Sequence, residues 1–151
     1  MRLLANILFF FAKGIVVKTT DAMLFFPGFI RRKSIVMKNS LNPSFIRETY
    51  HGKRDATIIS VGRLDSNKNQ AILIHAFAKI SHDYPDYRLI LYGEGEDRKK
   101  LEEMVKTLGL ANKITLPGTI ENVAETIYKA GIFVLTSNTE GMPNALIFGL
   151  S

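Results

Sequence analysis

Cysteine is absent from this sequence, and its absence excludes two kinds of site. Without thiols the chain forms neither disulfide bonds nor thiolate metal centres. The histidines His51, His75 and His82 also lack the spacing of metal ligands, so we predict no metal site. A chain without cysteine fits a reducing compartment.

A hydrophobic run long enough to cross a membrane is missing as well. The N-terminal apolar run, 3–11, is well short of the about 20 residues that a membrane-spanning helix needs. No cleavage site with small residues follows it, which argues against a signal peptide. We interpret the run as a helix whose packing domain is missing, and we expect it to promote self-association.

Acidic residues are outnumbered by basic ones, which gives a formal net charge of +6. This charge permits an anionic partner such as acidic lipid headgroups, a lipid-linked diphosphate or nucleic acid. The basic clusters 31–33 and 98–100 could make such contacts, including a peripheral contact with a membrane. For 98–100 a solvated helix face is favoured, because Glu102 and Glu103 follow on the same helix. Basic and aromatic residues do not interleave, so we predict no nucleic-acid partner.

What the sequence does contain is an alternation of strand and helix patterns. Short strands are predicted at 15–17 and 34–37, with a turn at 25–28 between them. After them, repeated βα units predict an α/β fold with a Rossmann-like, doubly wound parallel sheet. The predicted elements of this sheet are strands at 57–61, 87–92, 114–116 and 132–135, and helices at 69–81, 97–108 and 122–129.

The first candidate site lies where the first strand of the main sheet ends. Gly62 follows that strand and allows a ligand to approach the backbone closely. Arg63 offers a planar fork of donors, and Lys68 stands near the next helix, which Ser66 or Asn67 could cap. Two cations beside a helix N-terminus can hold a diphosphate. Taken alone, each cation is more simply interpreted as a solvated surface charge.

The second candidate site is the polar segment that follows strand 132–135. Residues 136–147 are typical of a loop that opens into a helix. Such a junction places backbone N–H groups and the carboxylate of Glu140 at the carboxyl end of the sheet, where open α/β folds bind ligands. Because both loops follow parallel strands, we expect the Glu140 loop and the Arg63 loop to face one crevice.

Taken in order, these segments resemble the donor-binding domain of family 4 retaining glycosyltransferases, also called glycosyltransferase group 1. The resemblance covers the chain from about residue 12 to its end. The ordered set of motifs is more specific than any one of them. It consists of VGRL at 61–64 with KN at 68–69, YGEG at 92–95, PG at 117–118 and SNTEGMPNA at 137–145.

The resemblance implies a GT-B enzyme of two domains, of which this chain would supply the C-terminal half. It would transfer a sugar from a nucleotide-sugar, usually a UDP-sugar, to a glycan or lipid-linked acceptor with retention of anomeric configuration. Arg63 and Lys68, beside Gly62, would bind the diphosphate, and Glu140 would be the catalytic residue on the donor sugar. Sugar and phosphate would also be held by the loop residues Gly141, Met142, Pro143 and Asn144.

The resemblance further implies that no metal or other cofactor is required. The two cations and the helix dipole would stabilise the diphosphate as charge develops on it. Because related chemistry builds surface polysaccharides and glycolipids, we expect the protein to act in the cytoplasm at the inner face of the membrane.

The sequence departs from the family pattern at two points. A second glutamate normally binds the ribose, and here Phe148 stands at that position, so we expect weakened nucleotide affinity. Segments of the family are also missing at both ends, so we interpret the chain as truncated. Residues 1–45 would be a remnant of the acceptor domain and linker, and 46–151 an incomplete donor-binding domain.

Two alternatives stay open from the sequence. The chain could be a non-catalytic nucleotide-sugar-binding fragment or subunit that needs a complementing chain, which Phe148 and the truncation favour. The segment Gly93, Glu94, Gly95 after a strand also resembles a dinucleotide fingerprint. Its third glycine would fall at Arg98, which disfavours NAD binding.

Overall fold

The computed structural model describes residues 8–37 and 52–139. These ranges fall into two compact units, which we describe separately. The predicted division between residues 45 and 46 lies outside the described residues and stays a prediction. Within 8–37 and 52–139, no helix has the length and apolar character needed to cross a membrane.

The first unit is built on two parallel strands, β1 (Ile15–Val17) and β2 (Ser34–Val36). Both strands confirm the sequence-based prediction. Two short helices lie between them, α1 (Thr20–Leu24) and α2 (Gly28–Arg31), where the sequence had suggested only a turn. Thr19 caps α1, because its hydroxyl accepts a hydrogen bond from the backbone N–H of Ala22 at 3.1 Å. A capping threonine was the sequence feature that could have indicated this helix.

Lys33 has a structural role in this first unit. Its ammonium donates to the carbonyl oxygens of Phe10 at 2.6 Å and Ala12 at 2.7 Å, and it also lies 5.8 Å from the centre of the Phe10 ring. These contacts hold the segment before β1 against the segment before β2. Part of the basic cluster 31–33 is therefore used inside the unit rather than offered to an anionic partner.

The second unit contains a four-stranded parallel sheet with the strand order β5-β4-β3-β6. The prediction of an α/β fold with a Rossmann-like parallel sheet is confirmed. Each predicted strand and helix of this unit is present, with ends that differ by a few residues. The elements are β3 (Asp55–Val61), α3 (Gln70–Ile80), β4 (Arg88–Tyr92), α4 (Arg98–Thr107), β5 (Ile114–Gly118), α5 (Val123–Lys129) and β6 (Ala130–Phe133).

Helices cover both faces of this sheet, because successive buried residues of β3 pack against helices on opposite sides. Ile58 packs with α3 and α4 on one face, whereas the next residue, Ile59, packs with α5 on the other. A strand that is buried on both sides needs a continuous apolar run, which explains the sequence of β3. The larger core joins Ile58, Leu64, Leu73, Ile74, Phe77, Leu89, Leu91, Leu101, Val105 and Ile114.

The order of the strands fixes where a ligand can bind. From β3 the chain adds β4 and then β5 on one side, and β6 pairs with β3 on the other side. The topology therefore switches between β3 and β6. In open α/β sheets, ligands bind outside the carboxyl ends of the strands at such a switch point.

Candidate functional site

Asp65 organises the loop between β3 and α3. Its Oδ1 accepts the backbone N–H of Lys68 at 2.9 Å, and its carbonyl oxygen accepts that of Asn69 at 3.1 Å. Its Oδ2 lies 3.4 Å from Nε of Arg63. The Asp65 side chain is only 15% exposed, whereas that of Arg63 is 79% exposed. A partly buried anion thus pairs with the Nε edge of the guanidinium and leaves its outer edge open to a ligand.

Helix α3 starts differently from the prediction. Its N-cap residue is Asn69, with a left-handed backbone at φ 49° and ψ 45° and no side-chain capping bond. The expectation that Ser66 or Asn67 caps the helix is therefore wrong. The Asn67 side chain donates to the loop after β6 instead, and the backbone carbonyl of Ser66 accepts a hydrogen bond from the same loop. Asparagine is one of the few residues that adopt the left-handed region readily.

The loop after β6 is hydrogen-bonded directly to the β3–α3 loop. The backbone N–H of Asn138 donates to the carbonyl of Asn67 at 2.8 Å, and its side chain donates to that of Ser66 at 3.0 Å. Thr136 donates through its hydroxyl to the carbonyl of Lys68 at 2.8 Å. Asn67 donates through its amide to the carbonyl of Thr139 at 3.1 Å. The segment that carries Lys68 is thereby fixed beside the residue that precedes Glu140.

Gln70 holds the backbone of Arg63 from below. Its amide nitrogen donates to the Arg63 carbonyl at 2.7 Å, and the residue is only 3% exposed. Its Oε1 is buried without a hydrogen-bond partner among the described residues. Burying an unpaired polar atom is unfavourable, and the hydrogen bond to Arg63 offsets part of that cost. Gln70, like Asp65, supports Arg63 and was not recognised from the sequence.

The residues predicted to hold a diphosphate lie together. Carbon atoms of the Lys68 side chain lie 3.6 to 3.8 Å from the position that a Cβ of Gly62 would occupy. The stem of Lys68 therefore passes over Gly62, next to Arg63 in the chain. The structure places all three at the carboxyl end of β3; that they bind a diphosphate stays a prediction.

A cleft of about 370 Å³ opens beside Arg63, at the carboxyl ends of β3, β4 and β5. Its walls are largely hydrocarbon, and Arg63 and Glu94 are its charged side chains. Pro117 and Gly118, which form one of the family motifs, belong to the end of β5, and the two residues after them line the cleft. The lining residues are Val61, Gly62, Arg63, Tyr92, Gly93, Glu94, Thr119, Ile120 and Val123.

The glycines after β4 have a packing role. A Cβ at Gly93, whose φ is +137°, would overlap the carbonyl oxygen of Gly62, and one at Gly95 would overlap that of Leu64. The backbones of the two loops also bond directly, because the N–H of Leu64 donates to the carbonyl of Glu94 at 3.0 Å. Close contact between neighbouring loops therefore explains these glycines without a dinucleotide.

Several predicted site residues lie outside the described residues. They are Glu140, Gly141, Met142, Pro143 and Asn144, and also Phe148. Their assignment rests on the sequence and stays a prediction. Within the described ranges, no group of three or more acidic or histidine side chains could hold a metal ion.

Comparison with known proteins places the chain in a family. Residues 43–147 match the family model described as glycosyl transferases group 1. An uncharacterized glycosyltransferase of Methanocaldococcus jannaschii is 36% identical over 99 residues, which cover 66% of this chain and 24% of that protein. An α-1,4-N-acetyl-D-galactosaminyltransferase of Campylobacter jejuni is 27% identical over 150 residues, which cover 99% of this chain and 41% of that protein. The chain thus spans less than half the length of either relative.

Solved structures show the same fold. The crystal structure of Anabaena HepE in complex with UDP and glucose superposes with a TM-score of 0.80 at 19% identity. The match covers 99% of this chain and 45% of that one. At this identity the likeness establishes the GT-B type of fold and nothing finer. With the family model matching most of its length, the chain belongs to the glycosyl transferases of group 1.

Proposed function

We propose that the second unit binds the UDP-sugar donor of a retaining glycosyltransferase of family 4. One observation carries the proposal. Arg63 and Lys68 lie on a single loop at the carboxyl end of β3, fixed by hydrogen bonds to the loop that leads into Glu140, with a cleft beside them. This arrangement offers cations for a diphosphate and apolar walls for a nucleoside.

The chemistry follows from charge. Breaking the bond between the sugar and the diphosphate leaves negative charge on the phosphate oxygens. Arg63 can donate two parallel hydrogen bonds to such oxygens, and Lys68 adds a compact positive charge. Preorganised cations aimed at developing charge stabilise the transition state without having to reorganise. We therefore expect the reaction to need no metal and no other cofactor.

Glu140 would orient the donor sugar. It directly follows Thr139, whose carbonyl oxygen is held by the side chain of Asn67 in the Lys68 loop. A carboxylate at this point can accept hydrogen bonds from sugar hydroxyls while the diphosphate rests on the cations. Gly141, Met142, Pro143 and Asn144 would continue the same contact to sugar and phosphate.

The relatives support a donor and a class of acceptor. The HepE structure contains UDP and glucose. The Campylobacter jejuni enzyme is named for α-1,4 transfer to a glycan on diphospho-undecaprenol. Transfer of a sugar from an α-linked UDP-sugar to an α-linked product would mean retention of configuration. For this chain we propose a glycan or lipid-linked acceptor and action at the cytoplasmic face of a membrane.

A transferase is favoured over a non-catalytic binding subunit, because the matched relatives are named as transferases.

Calorimetric titration with UDP tests the proposal. The unmodified chain should bind UDP and not NADH, and Arg63→Ala should lower UDP affinity at least about tenfold, as expected for a lost charge-assisted hydrogen bond. Arg88→Ala is the matched control, because it removes the same charge from an exposed residue at the amino end of β4. Equal UDP affinity in the Arg63 and Arg88 variants would refute the role of Arg63. Absence of UDP binding by folded, unmodified protein would refute the donor site.

A further inference from the structure

Glu94 is clamped at the cleft by an arginine. Arg98 Nη1 donates to Glu94 Oε1 at 2.7 Å, and Arg98 Nη2 donates to the carbonyl oxygen of Leu116 at 2.6 Å. The Nε of the same guanidinium lies 2.9 Å from Oε1 of Glu102. Arg98 therefore connects helix α4 to strand β5 and fixes the direction of the Glu94 side chain. Its role is structural, and the basic cluster 98–100 is in part an ion-paired one.

Gly118 leaves room for the Glu94 carboxylate. Its φ is +95°, and a Cβ there would lie 2.9 Å from Oε1 of Glu94. The carboxylate thus occupies the space above the end of β5 that a side chain at 118 would take. Thr119 and Glu94 both line the cleft at this point, and the Glu94 side chain is 55% exposed, so its carboxylate is accessible to a ligand in the cleft.

The carboxylate retains unused acceptor capacity. Oε1 takes the hydrogen bond from Arg98, and Oε2 has no partner in the part of the chain that the structure describes. Glu94 is the acidic side chain among the residues that line the cleft. A carboxylate near a bound diphosphate is unfavourable unless a cation offsets its charge or a ligand donates hydrogen bonds to it. Arg98 meets the first condition, and Oε2 stays available to accept hydrogen bonds from a ligand.

We propose that Glu94 accepts hydrogen bonds from the ribose hydroxyls of the donor nucleotide and makes the site select ribonucleotides over 2′-deoxyribonucleotides. The inference rests on the proposed function. A nucleoside diphosphate has few groups that can donate to a carboxylate. Its phosphates only accept, and uracil has a single ring N–H, whereas the ribose presents two adjacent hydroxyl donors. A carboxylate held at one oxygen matches that pair of donors.

Calorimetry with UDP and 2′-deoxy-UDP tests the inference. The test variant is Glu94→Gln. The Arg98 guanidinium only donates, so the new amide turns its oxygen to Arg98 and its NH₂ group to the cleft, where it cannot accept from a hydroxyl. Glu102→Gln is the matched control, because it removes the other acid paired with Arg98 but does not line the cleft. Thermal unfolding confirms that each variant is folded.

The unmodified chain should bind UDP about tenfold more tightly than 2′-deoxy-UDP, as expected for a lost hydrogen bond to a charged group. Glu94→Gln should reduce this ratio several-fold by weakening UDP, because a neutral amide replaces the charged acceptor, and Glu102→Gln should keep it. A Glu94→Gln variant that binds UDP but keeps the ratio of the unmodified chain overturns the inference and leaves the donor site standing. If the folded, unmodified chain binds neither nucleotide, the proposed function fails and the inference fails with it.

Discussion

At the scale of single residues, Asp65 is the residue on which the shape of the Arg63 loop depends most. Replacing it with alanine removes the acceptor for the Lys68 N–H and the partner of Arg63 Nε. We expect Asp65→Ala to lower the free energy of unfolding by about 1–2 kcal/mol, the usual cost of losing a side-chain acceptor for a loop N–H. Denaturant unfolding followed by circular dichroism measures this.

The control for Asp65 is the exposed Asp86 in the loop before β4. Asp86→Ala should change the free energy of unfolding by less than about 0.5 kcal/mol, as is usual for exposed positions. Equal effects of the two substitutions would show that Asp65 has no special part in the loop.

The sequence indicated which residues belong to the site only where the residue type itself suggests a role in binding. Gly62, Arg63 and Lys68 carry their signals in the sequence, as a glycine and two cations after an apolar strand. Gln70 gives no comparable signal, because its role depends on being buried under the Arg63 carbonyl. Nor does the distribution of polar residues show that Asn67 bonds across to Thr139 rather than capping α3. Local preference loses to tertiary contact at such points.

At the scale of secondary-structure elements, close approach of the loops after β3 and β4 depends on glycine. Gly95→Ala would place a Cβ on the backbone of Leu64, and rigid backbone cannot move away cheaply. We expect this variant to lose about 3 kcal/mol or more of stability, comparable to severe overpacking. Gly109→Ala is the comparison, since nothing lies within 4 Å of its Cβ position and only its φ of +69° opposes alanine.

Gly109 ends helix α4 in the left-handed conformation, so its replacement should cost about 1 kcal/mol. Thermal unfolding of both variants separates steric overlap from backbone strain. If Gly95→Ala is no less stable than Gly109→Ala, the two loops are not in close contact in solution.

The pairing of the β6 loop with the β3–α3 loop gives a second prediction at this scale. Asn138→Ala removes a bond to the Ser66 carbonyl and one from the Asn69 amide at 3.2 Å. Because these bonds position the segment of Lys68, we expect UDP affinity to fall several-fold, with a loss of stability of about 1 kcal/mol.

Asn122 provides the matched control, since its side chain caps α5 by accepting from Glu125 N at 3.3 Å. Asn122→Ala should cost a similar about 1 kcal/mol of stability through the lost cap and leave UDP affinity unchanged. Calorimetry and thermal unfolding on both variants supply the two readouts. Unchanged UDP affinity in Asn138→Ala would mean that the pairing of the loops does not position the site.

Elements were easier to predict than their ends. The apolar runs of β3 and β4, buried on both faces, and the periodicity of α3 and α4 carry strong signals. Helix α1 has only five residues, too few for a hydrophobic period to be recognised. Strand β6 begins at Ala130, directly after α5 and earlier than predicted, because Ala130 and Gly131 are small residues that do not look like a strand.

At the scale of the whole molecule, net charge should govern how the chain meets its donor. The formal charge is +6, and Arg63, one of the two cations assigned to the diphosphate, is 79% exposed. Its attraction for phosphate therefore passes through solvent and is screened by salt. Raising the ionic strength from about 0.1 M to about 1 M shortens the Debye length from about 10 Å to about 3 Å. We expect UDP affinity to fall about tenfold over that range.

Uridine is the control ligand for this effect, because it fills the same apolar cleft without a diphosphate. Its affinity should change less than about twofold with salt, and Arg63→Ala should flatten the salt dependence of UDP binding. Calorimetric titrations at both ionic strengths decide the matter. UDP and uridine responding alike to salt would mean that the diphosphate is not held by exposed cations. The affinity of the second unit for UDP would then have to come from the walls of the cleft, with the positive charge of the chain serving another partner.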